Sequence, residues 1–315
     1  MKAVILDLKG MEAFDLSSIS DQLDELVTYD LTAEDQIKSR IDGFDIVITN
    51  KTPLNRETIF SSEALKYICV IATGTNVVDK VAAVEKSIPV SNCVAYGVDS
   101  VVQHVWGLIL ALHTNLLRYS QDVSAGKWQK SGQFCFFDHP IIELKGRTLG
   151  VIGYGNLGQG VARIAEAYGM QVIICQRIGG EVVDGRVLFE ELVQQADVIS
   201  LHCPLTDETE NLFTTDVFKH MKPSCFLINA ARGGIVNERD LAEALLQGEI
   251  AGAATDVLTV EPPKDGNVLL DSSIPNLIIT PHVAWGSNEA RQRIIVQTAE
   301  NIAGFKVGKL IRTVY

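Results

Sequence analysis

The stretch TLGVIGYGNLGQGVARIAEAYGMQVIICQ, residues 148–176, decides the fold. Its apolar run 149–152 predicts a buried parallel strand, and three glycines in GxGxxG spacing follow that run before an amphipathic helix. The glycines Gly153, Gly155 and Gly158 would allow a tight turn, a close approach to a pyrophosphate and close packing of the helix on the strand. A second apolar run, 172–175, completes a strand, helix and strand. The stretch therefore predicts a dinucleotide-binding unit.

Apolar runs alternate with helix-length segments along the rest of the chain. This alternation predicts parallel sheets covered by helices on both faces, so the expected fold class is α/β, with two Rossmann-like, doubly wound parallel-sheet domains and a cleft between them. One helix is predicted over 99–124, an ordered loop over 126–146 and a last helix over 288–305. The remaining predicted strands are 3–6, 26–29, 46–49, 68–71, 89–91, 198–202, 226–229, 251–257 and 277–280.

Charge and hydropathy exclude two classes of partner. The 315 residues carry a net charge of -12, which argues against nucleic acid, because a phosphate backbone needs a basic face. The most apolar helical stretch, 101–117, contains Gln103, His104, His113 and Asn115, which are costly in a bilayer. We therefore expect no nucleic-acid and no membrane partner.

The six cysteines indicate a reducing compartment. They lie at least 22 residues apart, so no paired spacing suited to zinc exists, and we expect no metal. Several lie in apolar runs, which predicts buried free thiols. The N-terminus reads as a first strand and not as a secretory signal, so the expected location is cytoplasmic.

Four polar residues follow predicted strands closely. Arg232 comes after 226–229, Asp256 ends 251–257, Glu261 lies five residues further on, and His282 follows 277–280. Ligands of open α/β sheets bind outside the carboxyl ends of the strands. A guanidinium there can bind a carboxylate and polarise a carbonyl, while an imidazole beside a carboxylate can carry a proton. Each residue alone could be an ordinary loop residue, but together they indicate a catalytic site.

Several segments, in this order, resemble the D-isomer-specific 2-hydroxyacid dehydrogenases. The blocks are ATGTNVVD (72–79), VVQHVWGLILAL (101–112), GYGNLG (153–158), NAARGG (229–234), DVLTVEPP (256–263) and TPHVAWGS (280–287). Within that family the chain looks most like the glycerate dehydrogenases, also called hydroxypyruvate reductases. TNKTPL (49–54), FDHPIIELKG (137–146) and Trp285 carry that closer resemblance.

The resemblance implies an NAD(P)-dependent enzyme that interconverts a 2-oxoacid and a D-2-hydroxyacid, most closely hydroxypyruvate or glyoxylate and D-glycerate or glycolate. It implies a homodimer built by the long helix, a substrate domain of residues 1–97 and 289–315, and a dinucleotide domain of residues 98–288. The implied catalytic set is Arg232, Glu261 and His282, and the implied substrate-binding set is Thr73, Gly74, Thr75, Arg232 and Trp285. The implied cofactor-binding set is Gly153, Gly155, Asn156, Leu157, Gly158, Gln176, Arg177, Cys203, Pro204, Thr209, Ala230, Arg232, Asp256 and His282.

The end of the second strand departs from the usual dinucleotide pattern. An acidic residue there normally accepts hydrogen bonds from the ribose hydroxyls and repels a 2′-phosphate, but this chain has Gln176 and Arg177. Arg177 could bind the phosphate that NADP carries. The cofactor is therefore NAD or NADP, and we expect NADPH to be used at least comparably to NADH.

Three alternatives share the motifs. A phosphoglycerate dehydrogenase uses the same chemistry, although many carry a further regulatory domain. Formate dehydrogenases share the fold but pair the histidine with a glutamine, and Glu261 argues against them. A non-catalytic dinucleotide sensor on the same fold could retain every catalytic residue, and measured turnover would separate it from an enzyme.

Overall fold

A computed structural model describes residues 1–181 and 183–315. The chain forms two compact units, Met1–Gly97 with Gly286–Tyr315, and Val98–Trp285. It leaves the first unit after Gly97 and returns to it at Gly286, whereas the resemblance places the return at residue 289. Ser287, just after the return, caps the last helix by accepting a hydrogen bond from the backbone N–H of Ala290.

The strands follow the predicted alternation, to within two residues at either end. Apolar runs bounded by turns form them because a parallel strand buries both of its faces. The described residues contain eleven: β1 (Lys2–Ile5), β2 (Glu25–Thr28), β3 (Ile46–Thr49), β4 (Tyr67–Val70), β5 (Val90–Asn92), β6 (Thr148–Ile152), β7 (Gln171–Ile174), β8 (Val198–Leu201), β9 (Phe226–Asn229), β10 (Gly252–Thr255) and β11 (Leu277–Ile279).

Each unit contains one parallel sheet. The strand order is β2-β1-β3-β4-β5 in the first unit and β11-β10-β9-β8-β6-β7 in the second. Along each sheet the chain order of the strands reverses once, at β1 in the first sheet and at β6 in the second, as it does in doubly wound sheets. Strands β3, β4, β8, β9 and β10 are buried along their whole length, so the core of each unit lies on both faces of its sheet. The predicted α/β class and the two parallel-sheet domains are confirmed.

Helices connect the strands. In the described residues they are α1 (Ser17–Ser20), α2 (Ile37–Ile41), α3 (Arg56–Ser61), α4 (Lys80–Glu85), α5 (Val98–Thr114), α6 (Leu116–Ser124), α7 (Lys127–Ser131), α8 (Asn156–Ala167), α9 (Phe189–Gln195), α10 (Thr215–His220), α11 (Glu238–Gln247) and α12 (Asn288–Lys306). Helix α12 belongs to the first unit.

The single helix predicted over 99–124 is wrong, because α5 and α6 meet at a 63° bend. Asn115 lies between them with φ 50° and ψ 33°, a left-handed conformation that asparagine tolerates better than most residues. Its Nδ2 donates to the carbonyl of Pro140 at 2.7 Å. Among the described residues no single helix is both long and apolar enough to cross a membrane, and α5 and α6 reach that measure only when taken together.

The loop predicted over 126–146 contains one short helix, α7. Gly126 and Gly132, both left-handed, bound it. Lys127 on that helix forms ion pairs with Asp122 at 3.0 Å and Asp138 at 2.7 Å, which fix it against the end of α6. Lys127 and His139 hydrogen-bond to the Asp122 carboxylate and lower its pKa.

Cys135, in the same loop, corrects the expectation of buried thiols. It is exposed, whereas the other five cysteines are buried. Burial raises the pKa of the Cys93 thiol to about 11 and that of Cys203 to about 11, so both are neutral at pH 7.

Asp7 fixes a turn at the carboxyl edge of the first sheet. It follows β1, is 8% exposed and accepts hydrogen bonds from the backbone N–H groups of Asn50, Lys51 and Thr52, which follow β3. The distances are 2.8 Å to Asn50 and 2.7 Å to Thr52. The carboxylate satisfies three backbone donors, one buried and two partly buried, that would otherwise lack this partner.

Replacing Asp7 with Ala should lower the free energy of unfolding by about 2–4 kcal/mol, because backbone donors are left unsatisfied. Urea denaturation followed by circular dichroism measures the change. Asp30 follows the neighbouring strand β2 but is exposed, so Asp30→Ala is the matched control and should cost less than about 0.5 kcal/mol. Equal losses in the two variants would contradict the role given to Asp7.

Candidate functional site

The carboxyl edge of the six-stranded sheet gathers the polar residues of the second unit. Every strand of that sheet runs parallel to its neighbours, so all six carboxyl ends lie on one edge. Each end is followed within a few residues by a residue that the sequence predicts for the site or its supporting loops. In the order of the sheet from β11 to β7 these are His282, Asp256, Arg232, Cys203, Gly153 and Gln176.

The glycine loop has the geometry that its spacing predicts. Gly153 has φ +92°, and a Cβ there would lie 2.5 Å from the backbone nitrogen of Cys203. A Cβ on Gly158 would lie 2.2 Å from the carbonyl oxygen of Gly153, so only glycine lets α8 approach the turn. A Cβ on Gly155 would meet no atom of residues 1–181 or 183–315 within 4 Å. Gly155 stands at the N-terminus of the twelve-residue helix α8, where free backbone N–H groups favour an anion such as a pyrophosphate.

The loop after β8 packs on the glycine turn and is folded by its own hydroxyls. Thr209 donates to the carbonyl of Pro204 at 2.7 Å and accepts from the backbone N–H of Thr206 at 2.8 Å. Nε2 of His202 lies 2.9 Å from the hydroxyl of Ser200. Burial lowers the pKa of His202 to about 4, so its ring is neutral at pH 7, and its Nδ1 is buried without a hydrogen-bond partner within 1–181 and 183–315.

The end of β7 forms a closed turn. The backbone N–H of Gly180 donates to the carbonyl of Arg177 at 2.9 Å, and Nε2 of Gln176 donates to the carbonyl of Gly180 at 3.2 Å. The side chain of Arg177 is exposed and lies against Gly180. Gln176 therefore uses its amide within its own turn.

Glu261 and His282 form a direct pair. Oε2 of Glu261 lies 2.6 Å from Nδ1 of His282, while Oε1 accepts from the backbone N–H of Leu258 at 2.8 Å. Both side chains are about one-third exposed or less, 32% for Glu261 and 27% for His282. His282 has φ 54°, a left-handed conformation that costs energy for a residue with a Cβ. The pair that the sequence predicted is thus brought together by a strained loop.

Asp256 holds that loop. It is 1% exposed, and its Oδ1 accepts from the hydroxyl of Thr280 at 2.6 Å and from the backbone N–H of Val283 at 2.9 Å. Its Oδ2 accepts from the backbone N–H of Ala284 at 2.9 Å, and its carbonyl accepts from the backbone N–H of His282 at 2.8 Å. The carboxylate serves the loop around His282, and the part of Asp256 in binding the cofactor stays a prediction.

His104 joins this network from α5, although it was not among the residues predicted for the site. Its Nε2 lies 2.9 Å from the hydroxyl of Thr280 and 3.6 Å from Oδ1 of Asp256. Since the Thr280 hydroxyl donates to Asp256, it accepts from His104, which places the proton of His104 on Nε2. The feature of the sequence that could have indicated this role is the position of a histidine among the apolar residues of 101–112.

Arg232 lies on the loop after β9 and is exposed. Its Nη1 donates to the carbonyl of Ala231 at 2.7 Å. Asn229 holds the loop, because its Nδ2 donates to the carbonyl of Arg232 at 2.9 Å. A Cβ on Gly233 would lie 2.1 Å from the carbonyl carbon of Leu258, so the loop carrying Arg232 touches the segment that leads to Glu261.

The predicted substrate residues lie partly in the first unit. Thr73, Gly74 and Thr75 follow β4, and Nδ2 of Asn92 donates to the carbonyl of Thr73 at 2.8 Å. In the second unit the half-buried Trp285 packs against the apolar cluster that contains Ala284. Their roles in binding stay predictions.

Comparison with known proteins agrees with this geometry. Residues 106–284 match the family described as D-isomer specific 2-hydroxyacid dehydrogenase, NAD binding domain. The chain belongs to this family. It is an oxidoreductase, and its second unit is the NAD-binding domain of that family.

Relatives cover nearly the whole chain. It is 46% identical over 275 residues to a glycerate dehydrogenase of Methylorubrum extorquens, covering 87% of each chain. It is 39% identical over 316 residues to a hydroxypyruvate reductase of Blautia hydrogenotrophica, covering 98% of this chain and 95% of the other. A solved acyclic imino acid reductase, in complex with NADPH and D-Arg, superposes with a TM-score of 0.84 at 31% identity and full coverage of both chains.

Replacing Thr280 with Val should remove the hydroxyl between His104 and Asp256. We expect a loss of about 1–3 kcal/mol in the free energy of unfolding, because the buried carboxylate loses a donor, and a lower turnover number, because the loop of His282 loosens. Urea denaturation and steady-state kinetics measure the two effects. Thr259→Val, at an exposed position, is the control. A Thr280→Val variant as stable as this control would refute the network.

Proposed function

We propose that this dehydrogenase reduces a small 2-oxoacid with NADH or NADPH, either hydroxypyruvate to the D-2-hydroxyacid D-glycerate or glyoxylate to glycolate. The observation that carries the proposal is the pair of His282 and Glu261 at the carboxyl edge of the dinucleotide-binding sheet. The names of the glycerate dehydrogenase and hydroxypyruvate reductase relatives support this substrate class.

His282 is the proton donor in the direction of reduction. With its Nδ1 hydrogen-bonded to Glu261 at 2.6 Å, the ring presents Nε2 to the substrate, and the protonated imidazole gives its Nε2 proton to the alkoxide that forms at C2. The carboxylate of Glu261 orients the ring and stabilises its positive charge. Leu258 in turn holds Glu261 by donating its backbone N–H to the other carboxylate oxygen.

Arg232 stabilises negative charge on the substrate. A guanidinium donates two parallel hydrogen bonds to a carboxylate and polarises a neighbouring carbonyl oxygen. Its loop is fixed by Asn229 and by the contact of Gly233 with Leu258. Thr73, Gly74 and Thr75 are proposed to receive the substrate carboxylate through their backbone N–H groups, as the resemblance implies.

The dinucleotide would be held along the edge of the second sheet. Gly153, Gly155 and Gly158, with Asn156 and Leu157 at the start of α8, would hold the pyrophosphate. When bound, the nicotinamide supplies the hydride for C2 of the 2-oxoacid. The other residues proposed to hold the cofactor are Gln176, Arg177, Cys203, Pro204, Thr209, Ala230, Arg232, Asp256 and His282.

The proposed location is the cytoplasm. All six cysteines are free thiols, including the exposed Cys135, and free exposed thiols persist in a reducing compartment.

His282→Ala should lower the turnover number about 10²–10⁴-fold, because the proton donor is lost, while the dissociation constant for NADH changes little, because the other residues proposed to hold the cofactor remain. Arg232→Ala should also lower turnover strongly. Stopped-flow kinetics with hydroxypyruvate and fluorescence titration with NADH measure the two quantities. The exposed residues His220 and Arg239 supply controls, His220→Ala and Arg239→Ala. Unchanged turnover in the His282 variant would exclude it as the donor.

We also propose that the chain forms a homodimer through α5, α6 and the loop that follows. Large apolar side chains are exposed there; Phe134 is 93% exposed and Leu116 is 61% exposed. Several large apolar side chains exposed along one stretch of the chain support an interaction surface there. A cavity of about 350 Å³ lies beside it, lined by Leu117, Arg118 and other residues of α5, α6, β9 and β11.

Sedimentation velocity at micromolar concentration should give the mass of a dimer. Leu116→Glu should weaken the dimer at least about tenfold, because a charge would replace an apolar side chain that the proposed dimer buries. Leu246, on α11, is 57% exposed, so Leu246→Glu is the matched control and should leave the dimer intact. A monomeric mass for the unaltered chain would contradict the proposal.

A further inference from the structure

Two loops of the second unit meet beside the end of β7. The turn 176–180 is closed by the hydrogen bonds of Gly180 with Arg177 and Gln176. Glu208, from the loop after β8, lies over this turn, because a Cβ on Gly179 would be 3.4 Å from Cγ of Glu208. The carboxylate of Glu208 therefore lies beside the end of β7, although β7 itself is followed by Gln176 and Arg177 and not by an acidic residue.

Glu208 is held in its ionised form. A hydrogen bond with the side chain of Thr206 lowers the pKa of its carboxyl, and the positive charge of Arg177 lowers it further. Thr206 is itself fixed, since its backbone N–H donates to the hydroxyl of the buried Thr209. Both Glu208 and Arg177 are exposed, so each can reach a ligand.

We propose that Glu208 is a specificity-determining residue that disfavours a 2′-phosphate on the adenosine ribose of the dinucleotide. The proposal rests on the proposed function, because it requires the dinucleotide to bind along this edge. A 2′-phosphate beside the end of β7 meets two opposite charges, the guanidinium of Arg177 and the carboxylate of Glu208. The residues at the strand end, Gln176 and Arg177, led us to expect that NADPH is used at least comparably to NADH, and Glu208 adds an opposing charge.

For a 2′-phosphate, the attraction of Arg177 and the repulsion of Glu208 partly cancel. For a 2′-hydroxyl, which carries no charge, both interactions are weak. A single charge interaction at this exposure changes affinity between about threefold and tenfold, since water and salt screen it. Removing the charge of Glu208 therefore favours a ligand with the 2′-phosphate by that factor. Removing the charge of Arg177 acts in the opposite direction.

Adenosine 2′,5′-bisphosphate and adenosine 5′-monophosphate probe this contact without catalysis, because they differ only in the 2′-phosphate. Isothermal titration calorimetry at low ionic strength should give E208Q a dissociation constant for the bisphosphate about threefold to tenfold lower than that of the unaltered protein. The constant for the monophosphate should change less than about twofold. R177Q should weaken the bisphosphate alone, and added salt should shrink both differences.

Asp207, the exposed neighbour of Glu208, provides the matched control D207N, which removes the same charge one residue away. If both nucleotides bind, the proposal is overturned by an equal gain in affinity for the bisphosphate in D207N, or by no gain in that affinity in E208Q. Failure of the unaltered protein to bind either nucleotide would overturn the proposed function together with it. A gain confined to E208Q supports the position of Glu208 as the determinant.

Discussion

The buried carboxylate of Asp256 is the interaction on which the catalytic edge depends. A charge that is 1% exposed is costly unless hydrogen bonds replace its water, and here the donors are Thr280, Val283 and Ala284. All three donors flank His282, so satisfying the charge fixes the loop. The left-handed backbone of His282 persists because the surrounding bonds outweigh its cost.

Close backbone contacts impose a second constraint on the same edge. Gly153 touches the loop after β8, Gly158 touches the turn before α8, and Gly233 touches the segment after β10. In each case a Cβ would lie 2.5 Å or less from a backbone atom. The loop after β6 is thus packed against the loop after β8, and the loop after β9 against the loop after β10, which brings residues from distant parts of the sequence together.

Much of this arrangement was readable from the sequence, and the exceptions have physical causes. The apolar periodicity predicted one helix that continues through Asn115, where the structure has a bend. An apolar pattern cannot show whether Leu116 and Leu117 face a core or solvent, and both are exposed. The glycines that bound α7 indicated a break but not the ion pairs of Lys127 that fix the helix. Cys135 lies among aromatic residues that are themselves exposed, so apolar neighbours did not imply burial.

The sequence by itself determined the strands and the glycine turn and brought Glu261 and His282 to one edge. Buried parallel strands appear in it as apolar runs, and the carboxyl ends of parallel strands must meet at one edge. Only the tertiary structure decided which partners support that edge. His104 reaches Asp256 through Thr280 across 176 residues of sequence, and Glu208 reaches the turn after β7 from another loop. Such contacts depend on how separate strand ends pack, which no local pattern of residues encodes.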